Sequence, residues 1–209
     1  MTLAPLSPGS ADALLFDLGR VVLDIDFSRA FACWGRHAAC APEKLVGRLS
    51  RGELNHRHER GEISDTEYFA GQCAAMGITL SDAQFLEGWN AIFAGEMPGI
   101  AQALARAAKK LPLYAFSNTN NAHVAHFSVV HADVLGHFRE IFLSSSIGLR
   151  KPDAAAYDHV VNAIGVSAER IVFFDDSADN IAGARARGLV GVHVRSPDDV
   201  AQALAALGI

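Results

Sequence analysis

Asp17 follows the apolar run Ala13–Phe16, and Asp175 and Asp176 follow or end a second one that begins at Ile171. Ligands of parallel α/β sheets bind outside the carboxyl ends of the strands, so acids at those positions are placed for chemistry. Two carboxylates about 4 Å apart repel by about 4 kcal/mol at an effective dielectric of 20, and a cation between them removes that repulsion. Hard oxygen ligands point to magnesium. Two more segments, Ser117-Asn118-Thr119-Asn120 and Arg150-Lys151-Pro152, stand at or after the ends of expected strands. The four segments together supply the parts of a phosphoryl-transfer site. A carboxylate attacks phosphorus, a hydroxyl and adjacent backbone N–H groups hold the non-bridging oxygens, a lysine neutralises charge, and a second acid holds the metal. Each part alone has a bland counterpart, since Asp after a strand is a common turn residue. The combination is what the chemistry requires.

The elements that must position these residues alternate along the chain. Strands are expected at Ala13–Phe16, Leu113–Ser117, Ile141–Ser144, Ile171–Phe174 and Leu189–Val194, and helices at 99–110, 153–164 and 178–187. Such alternation implies βαβ units and a parallel sheet, an α/β fold. About ninety residues separate the first two strands, far more than the ten to twelve of a plain crossover. Helical patterns fill the gap at Ser28–His37, Pro42–Ser50, Asp65–Met76 and Ser81–Phe93. The reading is a Rossmann-like core, residues 1–24 and 96–209, carrying an inserted helical cap, residues 25–95, with Ala94–Gly99 as its exit hinge. Met1–Ser10 reads as a frayed tail.

Composition narrows the partners. The chain has 209 residues and a formal net charge of −5, without a basic run, which argues against a nucleic-acid or acidic-membrane partner. Cys33, Cys40 and Cys73 form no CxxC pair, so neither a disulfide framework nor a zinc knuckle is indicated, and a reducing cytoplasm is the expected setting. A monomer or weak homo-oligomer acting on a small phosphorylated metabolite fits this balance.

The four segments, in this order across nearly the whole length, resemble those of the haloacid dehalogenase superfamily. The resemblance implies that Asp17 is the nucleophile, that Ser117 and Asn118 bind the phosphoryl group, and that Lys151 stabilises the anionic transition state. It implies further that Asp176 ligates magnesium with Asp17 and the backbone carbonyl of Gly19, with Asp175 and Asn180 completing the surroundings. Phe16–Gly19 through Leu23–Phe27, with His58–Ser64 and Ser117–Asn120, is similar to the bacterial α-D-glucose-1-phosphate phosphatase group. One position departs from most phosphatases of the superfamily. The general acid two residues after the nucleophile is Gly19 here, as in the sugar-phosphatase group, and His56, His58 and Glu59 are candidate substitutes. The function expected is a magnesium-dependent sugar phosphatase; a 2-haloacid dehalogenase and a non-catalytic sugar-phosphate binder are the alternatives.

Other polar residues have structural readings. Asp24 and Asp26 are expected to cap the start of the insertion, and Asp179 to serve as an acid in a first helical turn. Arg150 pairs with a surface carboxylate or with substrate. His56–Arg60 lines a pocket or forms a solvated loop. His123 and His126 are expected at the surface, and Trp34, Phe85, Trp89 and Phe93 in helical core packing.

Overall fold

A computed structural model describes residues 6–209. The sheet is built from β1 (Ala13–Phe16), β4 (Leu113–Ser117), β5 (Glu140–Leu143), β6 (Ile171–Asp175) and β7 (Val190–His193). Its order is β5-β4-β1-β6-β7 and every pairing is parallel. Side chains alternate across the pleat, so Leu14, Phe16, Val172 and Phe174 enter one apolar cluster, and Ala13, Leu15, Ile171 and Phe173 the other. Covering both faces demands strands that are apolar throughout, which is why they read as unbroken runs. Helices α5 (Ile100–Ala107), α6 (Asn121–Val130), α7 (Ala132–Leu135), α8 (Ser144–Ile147), α9 (Ala154–Ile164), α10 (Ala178–Ala186) and α11 (Pro197–Ala206) provide the cover. None of the described helices is long and apolar enough to cross a membrane.

Between β1 and β4 the chain forms β2 (Leu23–Ile25), then α1 (Phe27–His37), α2 (Glu53–Glu59), α3 (Asp65–Met76) and α4 (Asp82–Asn90), and returns through β3 (Phe93–Glu96). Helices α3 and α4 start at capping boxes, Ser64 with Glu67 and Ser81 with Gln84. Gly77, at φ +69°, closes α3 in the left-handed conformation that glycine adopts without strain. These helices share an apolar cluster of their own around Trp34, Tyr68, Phe85 and Trp89. Strands β2 and β3 pair antiparallel, with a bulge between Asp24 and Ile25. The two crossings between helical layer and sheet are therefore hydrogen-bonded to each other.

The expected strands lie within one residue of those observed, and several details of the helical layer differ. Pro42–Ser50 is not a helix. A 3-10 turn covers Pro42–Lys44 only, and Gly47 sits at φ +81°, outside helical geometry. Helix α4 stops at Asn90 because Phe93 is drawn into β3 opposite Ile25, so Phe93 is a strand residue. Asp26 caps α1 by accepting from Ser28 N at 2.9 Å, whereas Asp24 is an exposed strand residue and caps nothing. In the expected tail, Met1–Pro5 lie outside the described residues. Leu6 packs on the core and Ser10 N donates to Ser7 O at 3.0 Å, so this part is folded.

Candidate active site

Sheet register brings the chemistry-bearing residues together. Central strand β1 has β4 on one side and β6 on the other, with Phe16 opposite Ala115 and Phe174. Asp17, Ser117 and Asp175 consequently emerge at adjacent strand ends, in the crevice where the order of connection reverses. Lys151, from the loop after α8, is buried among them. Its ammonium donates to Asp175 Oδ2 at 2.7 Å and to the Phe116 carbonyl at 2.8 Å, and lies 2.9 Å from Asp17 Oδ1. All three N–H groups are thus committed.

The two acids at the end of β6 are in different states. Asp175 is fully buried and accepts from Lys151, from Ser177 N at 2.8 Å and, on both of its oxygens, from Asn180 Nδ2 at 3.0 and 3.1 Å. Asp176 is partly open, with only the distant guanidinium of Arg20 facing it at 4.0 Å. Asp176 therefore has oxygens free to take a ligand, and Asp175 is spent on holding Lys151.

Ligand oxygens of Asp17, Asp175 and Asp176 lie within 4.8 Å of one another. Burial pushes the Asp17 carboxyl up to about 7, with Lys151 opposing and Asp175 and Asp176 reinforcing the shift. Burial, then Asp175, raises Asp176 as well. Burial also disfavours the Lys151 ammonium, yet the carboxylates of Asp17 and Asp175 outweigh it and hold that group above the ordinary lysine value. One lysine does not balance three clustered carboxylates, so the donor set fits a divalent, oxygen-preferring cation.

Ser117 and Asn118 differ in availability. Ser117 lines the cavity above the acids. The Asn118 side chain is clamped to the main chain of Lys151, donating to its carbonyl and accepting from its N–H, each at 2.8 Å. A phosphoryl contact from Asn118 would thus come through its backbone. Gly19 also lines the cavity, where a Cβ would meet only Ile25 Cγ1 at 3.6 Å.

The cavity has a volume of about 360 Å³, with the acid floor on the sheet side and residues of the helical insertion as its roof. His56–Glu59 belongs to helix α2 rather than a loop, and its members diverge. His56 and Glu59 line the cavity. His58 is buried away from it, stacked on Tyr68 at 3.9 Å and bonded to Asp65 at 2.7 Å. Arg150 donates to Glu59 Oε2 at 2.9 Å, an ion pair between core loop and insertion that is mostly shielded from solvent.

His123 corrects the surface expectation. It is buried in the cavity wall, stacked on Trp89 at 4.4 Å. Its Nε2–H donates to the Trp89 carbonyl at 3.0 Å and its Nδ1 accepts from Asn120 at 3.1 Å. Burial drives this imidazole down to about 3, so it is neutral and closed to metals. Asn120 caps α6 through His123 N and accepts from the Trp89 indole at 3.3 Å. An Asn three residues before a His at a helix start was a visible capping signal for α6, but the link to Trp89, 31 residues away, was not.

Comparison with known proteins agrees with this geometry. The family model for haloacid dehalogenase-like hydrolases matches residues 11–188. The chain belongs to that family. It is 27% identical over 201 residues to drimenol cyclase drtB of Aspergillus calidoustus, covering 92% of this chain and 35% of that protein. It is 34% identical over 121 residues to phosphatase MT3486 of Mycobacterium tuberculosis, covering 56% of each. The chain thus spans about a third to just over half of the length of these relatives. Among solved structures, the HAD family enzyme bt-2542 of Bacteroides thetaiotaomicron, in complex with magnesium and inorganic phosphate, superposes with a TM-score of 0.76 over 89% of this chain and 95% of the other. At 22% identity that likeness speaks to the fold.

Proposed function

We propose that this chain is a magnesium-dependent phosphomonoesterase that cleaves a small phosphorylated metabolite through an aspartyl-phosphate on Asp17. The carrying observation is the convergence of Asp17, Ser117, Lys151 and Asp176 at the joined ends of β1, β4 and β6 beneath the cavity. Asp17, Asp176 and the Gly19 carbonyl would hold the cation, which supplies charge neutralisation to an incoming dianion. Asp17 attacks phosphorus, Ser117 and the backbone N–H groups after it bond the non-bridging oxygens, and Lys151, beside Asp17, neutralises negative charge in the transition state. Residues 25–95 form the cap that keeps bulk water from the intermediate.

The substrate class we propose is a sugar phosphate, α-D-glucose 1-phosphate being the first compound to try. Support comes from a lining of two kinds, the rings of Phe27, Trp89 and Phe93 and the polar groups of Asn55, Glu59 and Arg150. A pyranose has apolar faces to pack on rings and hydroxyls to bond polar groups. A reducing cytoplasm suits the three unpaired cysteines.

The test is phosphate release from a panel of hexose, nucleotide, carboxylic-acid and prenyl phosphates, with magnesium or EDTA, in wild type and Asp17→Asn. The prenyl compound is included because the name of the drimenol cyclase relative points to an apolar organic group. Magnesium-dependent release concentrated on hexose phosphates and lost in Asp17→Asn is expected. Release that survives full chelation overturns the mechanism, and preference for the prenyl compound overturns the sugar assignment. Halide release from 2-chloropropionate without metal would establish a dehalogenase instead. Ligand binding without turnover would establish a binder.

A further inference from the structure

An alkoxide leaving group needs a proton, and Gly19 has none to give. The cavity offers few other donors. All three N–H groups of Lys151 are held by Asp17, Asp175 and the Phe116 carbonyl. Glu59 accepts from Arg150 on one oxygen and from Asn55 on the other, at 2.9 Å each, so both oxygens are engaged as acceptors. Guanidinium groups do not release protons in this pH range. His123 is neutral, with both ring nitrogens bonded. His58, favoured by sequence alone as much as His56, is bonded to Asp65 outside the cavity.

His56 is left. It lines the cavity from α2, its Nδ1 lies 3.8 Å from Glu53 Oε2, and its Nε2 has no hydrogen-bond partner among the described residues. Its helix is held in place from both sides. Tyr68 donates to Asn55 at 3.0 Å, Asn55 to Glu59, and Arg150 of the core closes the chain. Where α2 ends, Gly61 approaches the Ser145 carbonyl so closely that a Cβ would stand 2.5 Å from it, at φ +70°. A ring on a helix fixed in this way keeps its place in the cavity lining, as an acid must.

We propose that His56 is the general acid that replaces the side chain missing at Gly19; the proposal rests on the phosphomonoesterase reading above. As the Asp17 carboxylate forms its bond to phosphorus, the bond from phosphorus to the ester oxygen breaks, and the imidazolium of His56 gives its proton to that oxygen. Products of this step are the aspartyl-phosphate, a neutral alcohol and neutral His56. Water then attacks phosphorus and its proton returns to His56, restoring imidazolium and the Asp17 carboxylate and releasing phosphate. The charged groups around His56 are Glu53 and Glu59 on its own helix, Arg51 just before it, and Arg150, Asp17 and Lys151 in the same cavity lining.

The experiment compares two leaving groups. For His56→Gln and His56→Ala, kcat/KM on a sugar phosphate should fall by about 10²- to 10⁴-fold, while kcat/KM on p-nitrophenyl phosphate, whose phenolate leaves unaided, should stay within about threefold of wild type. The decline of wild-type kcat/KM at high pH on the sugar phosphate should vanish in both variants. Equal losses on the two substrates would overturn the proposal in favour of a binding or structural role. Undiminished sugar-phosphate turnover would also overturn it. A wild type silent on both substrates would instead remove the phosphomonoesterase reading, and this proposal with it.

Discussion

The floor and the roof of the cavity are built on opposite plans. On the floor the groups that frame the site are committed to one another, with Asp176 and Ser117 left open for ligand: Lys151 to three acceptors, Asp175 to Lys151, Ser177 and Asn180, and the Asn118 side chain to the Lys151 main chain. On the roof, His56 keeps a ring nitrogen unbonded among the described residues, and much of the surface is aromatic. A floor framed in this way arrives at the reaction already organised, so its contribution is electrostatic and independent of the organic group. The roof touches that organic group, and substrate choice belongs there.

The sharpest break of this contrast is Lys151→Met. It leaves Asp17 and Asp175 buried without their shared cation, and breaking a buried pair costs about 3–5 kcal/mol. Activity should fall by more than about 10³-fold on every substrate alike, since the floor does not read the leaving group. Denaturant titration and kcat/KM on two substrates check both parts. An unchanged unfolding midpoint would show that the carboxylates do not depend on the lysine.

Trp34→Ala strikes the roof without touching the cavity. Trp34 is fully buried, stacked on Phe85 at 4.6 Å, and donates to the Phe85 carbonyl at 2.9 Å. The expected loss is about 3–5 kcal/mol, concentrated in the helical layer because its apolar cluster is largely its own. Hydrogen exchange should lose protection in α1, α3 and α4 while β1, β4 and β6 stay protected. Uniform loss over all six elements would mean that roof and floor unfold as one unit.

The same contrast explains what could be read in the sequence. Asp17, Ser117 and Asp175 sit at the ends of apolar strands of one parallel sheet, and Lys151 follows a fourth strand by a short helix and loop, so local pattern and strand order suffice to bring them to one end of the sheet. The division of labour between Asp175 and Asp176 was not visible, because it depends on who donates to each. Roof structure is set by pairings distant in sequence: Phe93 with Ile25 across the insertion, Trp89 with Asn120 and His123, Arg150 with Glu59 over 91 residues. Local periodicity extended α4 through Phe93 and made a helix of Pro42–Ser50, where β2 and Gly47 dictate otherwise. Neighbouring residues in HERG likewise part company, His58 inward to Tyr68 and Glu59 outward to Arg150, as a helix turns them to different faces.

His123 sits on the seam between the two regions and yields the smallest effect, one that pH reveals. Its imidazole is held at about 3 by burial, against about 6.5 for an ordinary histidine. Below pH 6.5 the unfolded chain binds a proton that the folded chain refuses until about pH 3. Stability is therefore fully present above the ordinary value and declines as pH falls through that window, by up to about 1.4 kcal/mol per unit. Between pH 7.5 and 5.0 the loss from this one group is about 2 kcal/mol. Burial lowers His58 and His131 too, so the wild-type slope includes them. In His123→Gln the lost stacking on Trp89 acts equally at both pH values, and only the slope due to His123 disappears. Denaturant midpoints at pH 7.5 and 5.0 for the two proteins give that difference. Equal slopes would mean that the ring becomes protonated in the folded state, which requires the contact with Trp89 and Asn120 to open and the roof to move off the floor as pH falls.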